Sequence, residues 1–378
     1  MSHLLEEYAK NLGVKASKPV VVGHFFPVLD DKYITISTER GMSAKFYNHY
    51  NIALNLLRPI LNAKQVKVFQ IDGSLIEGVD AALNLTFKQQ YFILSNSLLH
   101  LGSAGVLSHA ASALNVPTVN LFGDTFPTIN RPLFSGKKNN INLAPQWKNK
   151  PCLTVHDANR QIDNITPESV AQSVLDLLKI DEQIAFKTVH QGADFGSPVA
   201  EIIPTLFNPL EIPENHRVVL RLDYGCVEST FLEYCKRHKV TIVADKLIQP
   251  HAFKNVGHNV NELCIIVDDS WDTIPENYFK VLQAQNIKVI LLVKDKKQLN
   301  FIREKYFDVQ VEIFEEEPKK PEGCSGDACF LTQKRLIEGD KEYLSYAHWK
   351  KNLDNNNQVI DSPDYWKESR YFYIYEQN

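Results

Sequence analysis

Long apolar runs are missing from this chain of 378 residues. The longest, such as Val289–Val293, suit a buried strand and fall far short of the length needed to cross a bilayer, so no membrane span is expected. The opening MSHLLEEYAKNLGVKASK carries acids early and no apolar segment, which argues against a secretory signal. Cysteine is sparse, with six scattered over the chain. That excludes a disulfide framework and fits reduced thiols in a cytoplasm. Cys324 and Cys329 have no second pair nearby, so a zinc site is not expected. Neither a Walker loop nor a GxGxxG fingerprint occurs, and no acidic pair has convincing metal spacing. No metal and no resident cofactor are expected.

What is present is an ordinary globular composition, 44% apolar and 23% charged. Such a length exceeds one typical core and predicts two domains. The formal net charge of −4 hides an asymmetry, because residues 1–150 carry +6 and the remainder −10. A basic first half suits a phosphorylated ligand, and nucleic acid stays open as a less favoured partner.

The stretch from Ser97 to Pro127, SLLHLGSAGVLSHAASALNVPTVNLFGDTFP, organises the first half. It reads as a strand (Leu98–Leu101), a glycine turn (Gly102, Ser103, Ala104, Gly105), a small-residue helix (Val106–Asn115) and a second strand (Thr118–Phe122). This is the βαβ unit of a parallel sheet, with its turn where such sheets bind ligands. Glycines permit close backbone approach, and the first free N–H groups of the helix attract a phosphate or diphosphate. His109, one turn further on, leans toward the same place. Around this unit, Lys18–Gly23, Tyr33–Ser37 and Gln65–Ile71 read as strands. Helices are predicted over Phe46–Leu61, Phe87–Asn96 and, with Thr166 as N-cap and Pro167 as first residue, up to Leu178. Asp72 or Glu77, after the third of these strands, is placed to accept bonds from ribose hydroxyls, although Asp72-Gly73 is also a turn signal.

The order Leu101-Gly-Ser-Ala-Gly, Ser-His109-Ala-Ala, Pro117-Thr-Val and Phe-Gly123-Asp-Thr125-Phe-Pro127 resembles the nucleotide-sugar-binding lobe of the ADP-heptose:lipopolysaccharide heptosyltransferases, a GT-B-fold glycosyltransferase family. The likeness covers roughly residues 30–180. That family places an acid before its glycine, where this chain has Ser103-Ala104. The resemblance implies that Ser37, Thr38 and Lys45, on the polar loop Ser37–Phe46, hold the donor diphosphate, with Gly102–Gly105, His109, Asp124 and Thr125 completing the site. Hydroxyls and a mobile ammonium neutralise a diphosphate without demanding one geometry.

Residues 181–214, with scattered glycine and proline, read as a linker. A second α/β pattern follows over 215–317. Strands are predicted at Arg217–Leu222, Val240–Ala244, Leu263–Val267, Lys288–Val293 and Val309–Phe314, with helices near Glu228–His238, Pro275–Gln285 and Lys297–Tyr306. Residues 318–378 form an extension whose aromatic tail, with aromatics at alternate positions, is expected to form a terminal strand or to pack back between the lobes. The fold class expected is therefore α/β with two Rossmann-like parallel-sheet lobes. By resemblance it is GT-B-like, and circularly permuted because the nucleotide lobe comes first.

The family's acceptor lobe also opens with a strand ending in Arg-Leu and then a glycine loop bearing its general base. The matching carboxylates here are Asp223 and Glu228. The resemblance thus implies an inverting, metal-independent glycosyltransferase that moves a sugar from a nucleotide-diphosphate donor to a hydroxyl acceptor such as a glycan. Two alternatives are a binding or assembly module that has lost chemistry, and a transferase acting on nucleic-acid bases.

Overall fold

The computed structural model describes residues 3–28, 32–38, 42–146, 150–154, 156–157, 160–209, 211–213, 215–267, 274–314, 320–324, 327–353 and 356–377. Gly41 of the expected diphosphate loop, and Pro318, Lys319, Ser325 and Gly326 of the charged C-terminal stretch, lie outside them. The chain divides into two units, Met1–Thr188 and Val189–Gln377. Among the described residues no helix is long and apolar enough to cross a membrane.

The first unit runs α1 (Leu4–Asn11), β1 (Tyr33–Ser37), α2 (Tyr50–Ala63), β2 (Lys67–Asp72), β3 (Asp80–Ala81), α3 (Phe87–Ser95), β4 (His100–Ser103), α4 (Val106–Ala113), β5 (Thr118–Leu121), α5 (Pro127–Asn130), β6 (Asn140–Leu143) and α6 (Pro167–Leu178). Its six strands pair in parallel in the order β3-β2-β1-β4-β5-β6. Buried residues of α2 recur at three- and four-residue spacing, Tyr50, Leu54, Leu57 and Leu61, and meet Ile34, Ile36, Leu101 and Val119 on one sheet face together with α6. The other face is polar along one register row, where Thr35, His100, Thr118 and Asn140 stand side by side. Against it lie Leu107, Ala110 and Ala111 of α4, whose small residues let the helix approach closely.

In the second unit and the strand leading into it come β7 (Phe186–Gln191), β8 (Val199–Ile203), β9 (Arg217–Arg221), α7 (Glu228–Arg237), β10 (Val240–Ala244), β11 (Val260–Val267), α8 (Glu276–Ala284), β12 (Lys288–Val293), α9 (Leu299–Lys305), β13 (Gln310–Ile313), β14 (Cys329–Thr332), β15 (Lys334–Glu338), β16 (Lys341–Tyr343), α10 (Tyr346–Lys351), α11 (Pro363–Trp366) and β17 (Phe372–Gln377). Eight strands form one sheet, ordered β13-β12-β11-β10-β9-β8-β15-β16, and β14-β17-β7 form a smaller one. In the larger sheet the strands from β8 to β13 are parallel and consecutive, β15 joins β8 in parallel, and the β15–β16 hairpin is antiparallel, as is the β14–β17 pair of the smaller sheet. Phe231 and Tyr234 of α7, Phe279 and Leu282 of α8 and Ile302 of α9 all pack into one core with Leu220, Ile242, Leu263 and Leu291. Those helices therefore share a single face of the sheet. The opposite face carries a smaller apolar cluster that includes Val219, Val243, Cys264 and Ile290.

Four readings from the sequence need correction. Lys18–Gly23 is not a strand; Val20 and Val22 are 91% and 60% exposed, and the backbone instead runs close along α3, where Gly23 meets Phe92. The stretch read as a linker contains β7 and β8. β8, Val-Ala-Glu-Ile-Ile, is buried at every position and so shows no alternation to mark it as a strand. Residues 318–378 are not an extension apart from the second lobe, since β15 and β16 extend the main sheet of the second unit; the aromatic tail is the terminal strand β17, in the middle of the smaller sheet. The first predicted turn of α2 is also missing, and the helix starts at Tyr50 rather than Phe46.

Candidate functional site

In the first unit the strand order reverses between β1 and β4, and ligands of open parallel sheets bind beyond the strand ends at such a switch point. Ser37 and Thr38 leave β1 there, Gly102 and Ser103 end β4, and Gly105 is the N-cap of α4. The fit is close. A side chain at Gly102 would come within 2.5 Å of Ser37 Oγ, and one at Gly123 within 2.0 Å of the Ala44 carbonyl. Gly102, Ser103 and Ala104 are buried, and Gly105 is half-buried at the helix entrance.

Lys45 binds this turn together. Its Nζ donates to the Ala104 carbonyl at 3.3 Å and pairs with Asp124 at 3.6 Å, while the Ser103 hydroxyl donates to the Lys45 carbonyl. Thr125 Oγ1 donates to Asp124 at 3.3 Å. His109 lies within reach of the Lys45 charge; burial first, and then that charge among its neighbours, lowers its pKa despite a bond with Asn130. Lys45, Ser103, Ala104, His109, Asp124 and Thr125 are thus gathered in one place. Asp72 is exposed and beside Ser37 in the β1–β2 register, and its carbonyl accepts from Thr38 N at 3.2 Å. Gly73 after it has φ +92°, so the pair also makes the turn its sequence signals. Glu77 is exposed, and its carbonyl accepts from Arg58.

Beneath the turn sits His100, which the sequence reading passed over. It is fully buried, with Nε2 3.2 Å from Ser37 Oγ and Nδ1 3.1 Å from Thr35 Oγ1. Burial pulls its pKa down to about 3, so the imidazole is neutral and fixes the Ser37 side chain without adding charge.

The second unit has a cavity of its own, about 1070 Å³, at the C-terminal ends of β9 to β13 and along the face away from the helices. Asp223 lines it and Glu228 does not. Both Asp223 oxygens are held by Arg221, at 2.9 Å from Nε and 2.6 Å from Nη2. Glu228 is exposed in the first turn of α7. The structure therefore separates the two carboxylates that the sequence grouped.

Three more charged residues lining the cavity were not anticipated. Glu201 Oε2 accepts from Arg221 at 3.1 Å and from Lys334 at 2.9 Å, and Lys334 also donates to Glu368 Oε1. Glu368 Oε2 accepts from Tyr346 N at 2.7 Å. The Arg221 guanidinium lies 3.7 Å from the Tyr224 ring centroid, and Tyr346 stacks on Tyr224 at 4.5 Å. Burial disfavours charge on Glu201, but attraction to Lys334 and Arg221 outweighs it and lowers its pKa. For Glu368 burial prevails over Lys334, and its pKa rises. One signal pointed here: a glutamate inside the apolar run Val199–Ile203 requires a buried cation. Among the described residues, no group of three or more His, Cys, Asp or Glu side chains could hold a metal ion.

Fold and site together define a two-unit α/β protein whose first unit has a topological switch point between β1 and β4. No family model and no curated protein matches the sequence. Among solved structures the chain is similar to the iron-containing dodecameric glycosyltransferase TibC of enterotoxigenic E. coli, with 18% identity, 44% of this chain and 51% of that one covered, and a TM-score of 0.37. It is also similar to a family 9 glycosyl transferase from Veillonella parvula (13%, covering 46% and 50%, TM-score 0.32) and to E. coli ADP-heptose lps heptosyltransferase II (16%, covering 47% and 52%, TM-score 0.32). Heptosyltransferases, the family that its first half resembles in sequence, are thus among these structures. The chain spans about half the length of each.

Proposed function

We propose that the chain is a glycosyltransferase that takes its sugar from a nucleotide-diphosphate donor, with a GT-B-like, permuted organisation. The observation that carries this reading is the switch point of the first unit, where Ser37, Thr38 and the entrance of α4 converge beside Lys45. The first N–H groups of α4 and the Lys45 ammonium would stabilise the diphosphate as it leaves, with Lys45 exchanging Asp124 for phosphate. Asp72 is assigned to the ribose, and His109, Asp124 and Thr125 to the rim of the site. In the inverting reaction a carboxylate of the second unit takes the proton of the attacking hydroxyl. Glu228 is the better base, because Asp223 is occupied on both oxygens by Arg221. No metal is assigned a role.

Titration calorimetry of the full chain with ADP, UDP and GDP tests the reading. At least one should bind with micromolar affinity, and Lys45→Ala should weaken it about tenfold, the worth of one charge-assisted contact. No binding by any of the three would overturn the assignment. A binding module without chemistry is the second reading, favoured by the Ser103 hydroxyl and Ala104 carbonyl already being engaged by the Lys45 segment. Nucleotide binding with no release of nucleotide from sugar donors above the protein-free background would select it.

A further inference from the structure

We propose that the arm formed by residues 15–23 of the first unit is an edge on which a second copy of this chain docks, the two arms pairing antiparallel about a two-fold axis at Val21. The surface is not part of the switch point and does not depend on the glycosyl-transfer reading. Three observations carry it.

The backbone is the first. Residues 14–28 run without helix, strand, turn or bend. Along residues 15–23 no backbone N–H or carbonyl is hydrogen-bonded to a described residue, and the next amide, His24 N, donates to the Lys88 carbonyl at 2.8 Å. The arm is nonetheless held in place, by Lys18 Nζ donating to Asn115 at 2.8 Å and by the close approach of Gly23 to Phe92. A straight, anchored backbone with open donors and acceptors is a template for another strand, and little ordering remains to be done on docking.

Side chains are the second. Val20, Val21 and Val22 are β-branched, and by the two-residue period Val20 and Val22 share the outer face, where both are exposed. Val21 between them is half-buried. Of the nineteen large apolar side chains exposed among the described residues, eight lie between Leu4 and Phe25, including Leu12 at 76% and Phe25 at 75%. Apolar surface so concentrated marks a contact site rather than ordinary scatter. A bilayer is the poorer occupant, because lipid offers no partner to the open backbone groups.

Self-complementarity is the third, and it selects a second copy over an unrelated strand. Antiparallel pairing about Val21 sets Val20 opposite the partner's Val22, a favourable cross-strand pair that occurs twice. Pro19 falls opposite the partner's Gly23, and Lys18 opposite the partner's His24. Parallel pairing in register would instead set Lys15 and Lys18 each against its own copy. Lys18 is the only Lys, Arg, Asp or Glu from residue 16 to residue 25, so closing the pair desolvates little charge. The axis uses the same edge on both copies, so association closes at the dimer.

Sedimentation equilibrium of the full chain and amide hydrogen exchange at low and high concentration test the proposal. One strand pair is a small interface, so a dimer dissociation constant on the order of 10 µM is expected, with at least one amide among Val20, Val21 and Val22 exchanging about tenfold more slowly in the dimer. Val20→Asp/Val22→Asp sets acid against acid and should weaken association at least tenfold while near-ultraviolet circular dichroism stays unchanged. Mixing that variant with Val20→Lys/Val22→Lys should restore a dimer that neither forms alone. A wild-type chain still monomeric at about 500 µM, whether or not it binds phosphatidylserine vesicles, would overturn the proposal. So would a dimer whose strength ignores these substitutions or whose formation leaves the three amides unprotected. The wild-type exchange comparison decides the matter even if the variants do not fold.

Discussion

Replacing Lys334 by methionine removes the cation between Glu201 and Glu368 and leaves two buried carboxylates facing each other. Lys334 is 2% exposed and its methionine counterpart has nearly the same length, so packing changes little and the effect is electrostatic. Breaking a buried pair by deleting one partner costs about 3–5 kcal/mol. Spread over a unit of about 190 residues, Val189–Gln377, that loss lowers its melting temperature by roughly 6–20 °C. The pH dependence has a definite sign. Without Lys334 the Glu368 carboxyl, already raised by burial, loses its counter-charge, so the variant keeps most stability below about pH 4.3 and loses it as pH rises through the folded pKa of Glu368. The deficit should therefore be larger at pH 8 than at pH 5. Adding Glu368→Gln to Lys334→Met returns the cluster to its original net charge and should recover about half of the loss. Scanning calorimetry of the single and double variants is the assay. A loss below about 1 kcal/mol, or no recovery in the double variant, would refute the electrostatic account of this cluster.

Three further outcomes follow from the geometry. The buried His100 has a folded pKa of about 3 against an unfolded value near 6.5, so its contribution is complete above pH 6.5 and is lost as pH falls toward 3. About 2 kcal/mol of stability should disappear between pH 6.5 and 5, and His100→Gln should flatten that slope in urea titrations. Gly73→Ala places a Cβ 1.6 Å from the Thr38 carbonyl at φ +92° and should cost about 2–4 kcal/mol, whereas Gly13→Ala, at φ +67° in open space, should cost about 1 kcal/mol; equal midpoints in urea would contradict this. Arg221→Lys keeps the charge but not the two-point grip on Asp223, so a destabilisation of about 1–3 kcal/mol by calorimetry is expected, and a wild-type value would deny the fork any structural role.

Much of the fold was legible because its strands are buried β-branched runs. Tyr33–Ser37, Val240–Ala244 and Lys288–Val293 are strands over the residues their patterns mark. The valines at 20 and 22 show the limit of that signal, since a β-branched run without a neighbouring strand edge stays unpaired. β8 shows the opposite failure, with a true central strand hidden between glycine and proline. At the first site Lys45 contacts Ser103, Ala104 and Asp124 while Ser37 and Thr38 stand at the end of β1, and His100 beneath them was silent because a lone histidine in an apolar strand has no spacing to betray it. Lys334 and Glu368 were illegible for another reason. Glu201 inside its apolar run signals only that a buried cation is needed, whereas the other two sit in unremarkable segments, and the meeting of all three depends on β15 being laid beside β8, which no local pattern encodes.

The pairing of β8 with β15 also fixes when the second sheet can finish forming. During synthesis β8 to β13 can assemble stepwise from near neighbours, but the free edge of β8 must wait for a segment more than a hundred residues downstream, a slow loop closure. Until then the Glu201 carboxylate has Arg221 but neither Lys334 nor the strand that covers it. The nascent sheet thus keeps a hydrated, charged border, which discourages premature edge-to-edge association with other chains.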